Sequence, residues 1–462
     1  MTWEQMLVEL NALVGKGGTP LVPWFNGKYV ERIPYREYIS GEYHSEGKQL
    51  KSDQFSKLLQ RVRENPESVR ETPYHLEDEI EAHMITVLSH VFAEVKERHL
   101  LDHTTKIADD QFLDVALVLA ARFHDIGKPI SRILKARGSK EDTESIVQYF
   151  AYDGHHVSGF NLLRSILTED FMKKLLPDYD DTLREKTRLA TLLYVYLHQR
   201  TSVPKQAVVT LREIILWASD GRISDFLDNL NLLLRADRRG SITLRTFTAE
   251  PYKDVKKFGD VPEFAYFGRS SSSHDVVLGI VDMLTRHDDI WYILPIGAPA
   301  SGKSTFFKEL RDGLAKYGIT VGKVSYDTTR LNMYKKAFPE SEDMPMNVLY
   351  EKAHTYATKH LKQMNDEYNK ALAVARKKYD LVFVDNTNLT KKNKRRSLAG
   401  SSKYGLEIFF DLDIDTHVHR NLNRKQKGGK AVEESVIHQM YMLTNPPNSH
   451  ENVHVIWWRQ EK

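Results

Sequence analysis

Two groups of residues in this chain have the types and spacing to do chemistry on phosphate. The first is centred on Gly297 to Thr305, G-A-P-A-S-G-K-S-T, which fits the pattern G-x-x-x-x-G-K-[ST]. An apolar run that reads as a strand, Trp291–Ile296, precedes it, and a helical segment, 303–317, follows. The motif therefore sits in the strand–loop–helix context that gives it meaning. The glycines let backbone N–H groups turn inward around a triphosphate, and the helix N-terminus adds about half a positive charge. Gly297, Ala300, Ser301, Gly302, Lys303, Ser304 and Thr305 are the expected nucleotide contacts. Lys303 would bridge the β- and γ-phosphates, and Ser304 would hold Mg²⁺.

A P-loop specifies a nucleoside triphosphate, not a reaction, and three further features narrow it. The strand Val321–Tyr326 delivers Asp327 at its carboxyl end, where ligands sit in open α/β sheets, and Arg330 lies one helical turn on. An Asp and an Arg presented together suit a hydroxyl acceptor: the Asp takes the proton, and the Arg holds a phosphate. Their bland alternative is a surface ion pair. The strand Leu381–Val384 runs into Asp385, placed to organise the metal, and then into Thr387 and Asn388, placed to contact substrate. Asn-rich turns at strand ends are common for purely conformational reasons. After the strand Ile408–Leu412, Arg420 and Arg424 lie one turn apart on an expected helix, followed by a basic tip ending at Lys430. That pattern reads as a lid carrying arginines over the phosphates, or, taken alone, as a solvated basic helix.

The second group is made of histidines and aspartates. His124-Asp125 ends the almost wholly apolar run Val115 to Phe123 and leads into Ile-Gly-Lys128. Placing such groups in a core is costly unless they are paired or ligate a metal. His83, His155, His198 and Asp237 occur in other helical segments of the same region, with His90 and His156 as neighbours that compete for the same roles. The chain has no cysteine, so disulfides, zinc ribbons and thiolate catalysis are excluded. His and Asp remain as the ligand set of a hydrolytic metal site.

The elements that must position these groups differ along the chain. Residues 1–75 hold one short amphipathic helix (Trp3, Met6, Leu7, Leu10, Leu13), a Gly/Pro loop and an aromatic stretch from Trp24 to Tyr43, and are an extension without an assigned role. Residues 76–240 read as nearly all helix with no convincing strands, and 241–285 as a junction rich in Gly, Pro and Ser. From 286 to 462 short apolar runs, ending with Val453–Trp457, alternate with helices at 303–317 and 347–378, the rhythm of a parallel α/β sheet. The expected fold class is thus multidomain, an all-helical domain followed by a P-loop α/β domain. Lys and Arg total 66 against 63 Asp and Glu, a net charge of +3, so any grip on nucleic acid must be local. Lys391 to Arg396, K-K-N-K-R-R, is a candidate for such a grip. With no signal peptide pattern at the N-terminus and no apolar run of about 18 residues, the expectation is a cytoplasmic protein.

Gly297–Thr305, Ser325–Arg330 (S-Y-D-T-T-R), Val384–Leu389 (V-D-N-T-N-L) and the Arg420/Arg424 lid together resemble the polynucleotide 5′-kinase family over roughly 290–462. That resemblance implies transfer of the γ-phosphate of Mg-NTP, ATP or GTP, to a 5′-hydroxyl of RNA or DNA. Asp327 would be the base, Arg330 the acceptor anchor, and Arg420 and Arg424 the phosphate clamps. Phe150 to Gly159 (F-A-Y-D-G-H-H-V-S-G) resembles the HD domains appended to tRNA nucleotidyltransferases, and the H…HD…H…H…D order over about 76–240 resembles the HD phosphohydrolase superfamily. The latter implies one metal site from His83, His124, Asp125 and Asp237, and a second from His155 and His198 with Asp125 bridging. Lys128 would sit on the substrate phosphate. One or two divalent ions (Mn, Ni, Co, Fe, Zn or Mg) are implied.

The two modules in this order resemble the HD–Pnk end-healing enzymes. The implied substrates are RNA or DNA ends, such as a nicked tRNA. One half would remove 2′,3′-cyclic, 2′- or 3′-phosphates and the other phosphorylate the 5′-hydroxyl, for an RNA ligase acting downstream. The alternative is an HD nucleotidase fused to a nucleoside or small-molecule kinase.

Overall fold

A computed structural model describes residues 1–14, 80–131, 133–137, 147–199, 211–240, 263–288, 290–399, 405–427, 429, 431–447 and 453–460. Contacts divide the chain into two compact units, Met1–Lys205 with Ile215–Lys256, and Gln206–Ile214 with Lys257–Lys462. The aromatic stretch from Trp24 to Tyr43, the glycines and prolines of 241–262 and the basic tip at Lys430 lie outside the described residues.

The first unit contains α1 (Trp3–Val14), α2 (Ile80–His99), α3 (Phe112–Phe123), β1 (Ile133–Arg137), β2 (Val147–Ala151), α4 (His155–Ile166), α5 (Glu169–Leu175), α6 (Asp181–Leu197) and α7 (Ile223–Gly240). Every residue of α3 is buried, as its apolar run requires, and it packs against α2, α6 and α7. Its one carboxylate, Asp114, accepts from Arg98 at 2.6 Å, His99 at 2.7 Å and Asn229 at 3.0 Å, so burial leaves it satisfied. The expectation of no strands fails here. β1 and β2 form an antiparallel pair with Ile133 opposite Ala151 and Arg137 opposite Val147. Each strand has five residues, too short for a two-residue alternation to stand out among strong helical patterns.

The second unit contains β3 (Phe264–Phe267), α8 (Ser273–Arg286), β4 (Tyr292–Ile296), α9 (Lys303–Ala315), β5 (Val321–Val324), α10 (Tyr326–Ala337), α11 (Met346–Lys359), α12 (Leu361–Lys378), β6 (Leu381–Val384), α13 (Lys391–Ser397), β7 (Gly405–Asp411), α14 (Ile414–Gln426), α15 (Glu434–Met442) and β8 (His454–Arg459). Its six strands run parallel in the order β3-β8-β7-β4-β6-β5. Alternate residues serve opposite faces. Ile293, Leu381 and Phe383 join Val276, Ile280 and Leu310 on one side, while Tyr292, Leu294, Val382 and Val384 join Met333, Ala357 and Tyr368 on the other.

Three departures from the sequence reading have local causes. The segment read as a junction supplies edge strand β3 and helix α8. The serine run caps that helix: Ser272 Oγ accepts from Asp275 N–H at 3.2 Å, and Asp275 accepts from Ser272 N–H at 2.6 Å. The helix expected over 347–378 is two helices meeting at His360, whose φ of −121° breaks a stretch that has neither glycine nor proline. In the basic run 391–396, Lys394 is not at the surface. It is fully buried against Glu407 of β7 at 2.9 Å, so it is unavailable to any ligand.

A buried pair of this kind is costly to break from one side, about 3–5 kcal/mol, because the partner's charge is left unmatched. Lys394→Ala is accordingly expected to lower the stability of the P-loop unit by that amount in urea unfolding, and Lys391→Ala, at an exposed position, by less than about 0.5 kcal/mol.

Candidate active sites

The phosphate cradle forms where β4 ends. Gly297 has no room for a side chain, since a Cβ would lie 2.7 Å from Ser301 Oγ. Its N–H donates to the Thr387 carbonyl at 3.2 Å, which ties the loop to the end of β6. Ala300 and Gly302 take left-handed backbone, with φ of 65° and 93°. Such a conformation costs a non-glycine residue on the order of 1–3 kcal/mol and is found where a loop must clamp a ligand. Lys303 Nζ folds back onto the carbonyls of Gly297 (2.8 Å) and Ala298 (3.0 Å) and onto Ser301 Oγ (2.9 Å), at the centre of the loop.

Ser304 Oγ donates to Asp385 Oδ2 at 3.1 Å, so the hydroxyl and carboxylate expected at a Mg²⁺ site are adjacent. Lys323 on β5 pairs with the same oxygen at 2.7 Å. At the start of α10, Arg330 Nη1 donates to Asp327 Oδ1 at 3.2 Å, and both side chains are partly exposed. Ser325 caps this helix, accepting from Thr328 N–H at 3.0 Å.

The D-N-T-N turn distributes its roles differently from the sequence reading. Asn386 accepts from Tyr326 N–H at 2.9 Å and donates to Tyr368 Oη and Ser397 Oγ, both at 3.0 Å, so it fixes the entry to α10. Asn388 was expected at the substrate. Instead it is buried, with φ of 50°, donating to the carbonyls of Pro295 (3.0 Å) and Val384 (3.1 Å) and accepting from Ser397 Oγ (2.7 Å). Unpaired carbonyls at two strand ends demand a donor, and Asn388 supplies it. The Thr387 backbone carbonyl likewise serves the P-loop.

The arginine helix α14 is anchored on the cradle. Asp413 caps it by accepting from Thr416 N–H at 2.8 Å, and His417 Nδ1 donates to the Pro299 carbonyl at 2.7 Å. Arg420 Nη1 donates to Gln460 Oε1 at 2.9 Å. Arg420 and Arg424, with Gly302, Thr305, Trp458 and Gln460, line a cavity of about 320 Å³ beside the P-loop. Gln460 follows β8 in no recognisable motif. Tyr350 of α11 was also missed. Burial raises its pKa, Asp327 and Asp385 add to the rise, and Arg424 opposes it.

In the helical unit the six expected ligands converge. His83, His124, Asp125 and Asp237 form one cluster and Asp125, His155 and His198 a second, and neither His90 nor His156 belongs to them. His156, beside His155, is instead bonded to Gln199 at 2.7 Å, and burial, reinforced by His155, pushes its pKa down to about 3. The carbonyls of Gly240, Ala121, Tyr152 and Val195 accept from Nδ1 of His83, His124, His155 and His198. A carbonyl can only accept, so Nδ1 carries a proton in each ring and Nε2 faces inward. The Nε2 atoms meet head-on, His83 to His124 at 3.1 Å and His155 to His198 at 3.0 Å.

Asp125 spans both pairs. Its Oδ2 lies 3.4 Å from His83 and 3.3 Å from His124, and its Oδ1 lies 3.2 Å from His155 and 3.5 Å from His198. Oδ2 is buried and accepts no well-aligned hydrogen bond, although Lys128 Nζ lies 2.5 Å away. Asp237 Oδ1 completes the first cluster, 3.0 Å from His83. The electrostatics call for a cation. Burial disfavours a charged His124, yet Asp125 and Asp237 overcome it and push its pKa up to about 10. At the second pair burial prevails and holds His155 below its ordinary value. Inward Nε2 atoms and buried carboxylates around shared positions are a donor set that fits divalent transition metals, which would displace the extra proton on His124.

Residues 293–447 match a family model described as an AAA domain (AAA_33). No curated protein sequence matches the chain. With the cradle and the parallel sheet, the match makes the second unit a P-loop nucleotide-binding domain of kinase type. It does not extend to the helical unit.

Two outcomes follow from the geometry. Gly297→Ala is expected to weaken ATP binding by calorimetry about tenfold, ~1.4 kcal/mol, with the fold intact by circular dichroism. Asp125→Ala is expected to remove more of the Mn²⁺ retained after equilibrium dialysis, by elemental analysis, than His198→Ala does. Equal losses would contradict a ligand shared between two clusters.

Proposed function

We propose that this chain is a bifunctional nucleic-acid end-healing enzyme. Its P-loop unit phosphorylates 5′-hydroxyl ends, and its helical unit hydrolyses 2′,3′-cyclic, 2′- or 3′-phosphates at the other end. The observation that carries the reading is the presence in one chain of two phosphate-directed clusters, Asp327 and Arg330 beside a P-loop and Asp125 between two histidine pairs.

At the kinase site Asp327 accepts the proton of the 5′-hydroxyl as its oxygen attacks the γ-phosphorus. The bond from that phosphorus to the β–γ bridging oxygen breaks, and the nucleoside diphosphate leaves with the electron pair. Lys303 and the α9 N-terminus hold the β- and γ-phosphates, while Arg420 and Arg424 neutralise charge that grows during transfer. Ser304 and Asp385 would hold Mg²⁺, which supplies further neutralisation on the phosphate oxygens.

In the helical unit His83, His124 and Asp237 would hold one divalent ion and His155 and His198 another, with Asp125 shared. Such a pair supplies an activated water and a clamp on the phosphoester oxygens. Lys128, in contact with Asp125, adds positive charge for the substrate phosphate. Broken RNA with a 2′,3′-cyclic phosphate and a 5′-hydroxyl, such as a nicked tRNA, is the substrate this chemistry suits, and a ligase would use the product.

The two activities should separate. Lys303→Ala is expected to abolish kinase activity on a 5′-hydroxyl RNA while leaving hydrolysis of a 2′,3′-cyclic end intact, and Asp125→Ala the reverse. Loss of both activities from either variant, with folding preserved, would contradict two independent sites.

A further inference from the structure

The basic helix α13 sorts its charges. Lys394 points inward to Glu407, whereas Lys391, Lys392, Arg395 and Arg396 are exposed. The exposed four fall at positions one turn apart, 391 with 395 and 392 with 396, and so form one face. Among the described residues none of the four pairs with a carboxylate, in a chain whose acidic and basic residues are nearly equal in number. That face is joined to the kinase site through Tyr326, the residue before Asp327. Tyr326 Oη donates to the Arg396 carbonyl at 3.2 Å, and its ring stacks on Tyr368 at 4.0 Å and 15°. Two guanidinium groups flank this ring, Arg330 at 6.0 Å and Arg396 at 5.0 Å from its centroid. Arg396 Nη2 is steadied by Asn365 Oδ1 at 3.1 Å.

We propose that Tyr326, Arg396 and the exposed face of α13 form a second phosphate subsite, which takes the strand leaving the 5′-terminal nucleotide. The inference rests on the 5′-kinase reading of Asp327 and Arg330. Arg330 takes the phosphate nearest the reacting hydroxyl, Arg396 the next along the strand, and Lys391, Lys392 and Arg395 those beyond. Planar guanidinium forks suit phosphate oxygens, and neither base edges nor sequence are read. A nucleoside 3′-monophosphate reaches only Arg330, whereas an oligonucleotide reaches both arginines. The subsite therefore selects polynucleotide over free nucleotide through KM.

The test compares two acceptors, a nucleoside 3′-monophosphate and a 5′-hydroxyl octanucleotide, with wild type, Arg396→Ala and Arg396→Lys in the full chain. In wild type, KM for the octanucleotide is expected to be lower by about tenfold or more. Arg396→Ala should cut that advantage by about tenfold and reduce the dependence of log KM on log salt by about one phosphate contact. Arg396→Lys, keeping the charge without the fork, should recover part of it. Equal KM values for both acceptors in wild type, or an advantage untouched by Arg396→Ala, overturns the subsite and leaves the kinase reading standing. A wild-type protein that phosphorylates neither acceptor overturns both.

Discussion

Two imidazole Nε2 atoms cannot face each other across about 3 Å in a dry interior unless positive charge, a proton or a metal ion, lies between them, since nothing there screens the repulsion. The helical unit creates this situation twice and places a carboxylate between the two instances. Its helices fix the arrangement by holding each Nδ1 on a backbone carbonyl, so no ring can rotate its Nε2 away. The remaining polar groups follow from this constraint. Asp237 sits at a helix end where it can reach His83, and Lys128 lies one turn after Asp125, neutralising the shared carboxylate.

The P-loop unit poses the opposite demand. A helix N-terminus, Lys303 and two arginines suit an anion, and an acidic pair, Asp327 and Asp385, stands at the rim. Parallel strands make this possible because they end on the same edge. β4 delivers the cradle, β5 leads to Asp327, β6 to Asp385, and β7 to the arginine helix. The asparagines of the D-N-T-N turn lock three of these strand ends together, which explains why the turn is polar yet largely withdrawn from ligand.

Much of this was legible because the chemistry needs particular residue types. The cradle needs glycine at 297, where a Cβ has no space, and at 302, where φ is positive. His124 and Asp125 stand out because polar groups end a run that is almost wholly apolar. What escaped the sequence depended on tertiary neighbours. Nothing in K-K-N-K-R-R marks Lys394 as the residue turned inward, because Glu407 lies on a distant strand. D-N-T-N offers two asparagines, and only the fold decides that both are structural. Gln460 and Tyr350 reach the site from β8 and α11 with no motif around them. The hairpin β1–β2 is too short for its alternation to register, and the break at His360 involves no residue that ordinarily ends a helix.

The most direct measurement uses one RNA carrying both a 5′-hydroxyl and a 2′,3′-cyclic phosphate, incubated with the full chain, ATP or GTP, Mg²⁺ and Mn²⁺, with both ends resolved by mass. The account predicts that the same molecules gain a 5′-phosphate and lose the phosphate at the 3′ side. An RNA whose 5′-hydroxyl stays unmodified while free nucleosides are phosphorylated, or whose cyclic end survives, would contradict it.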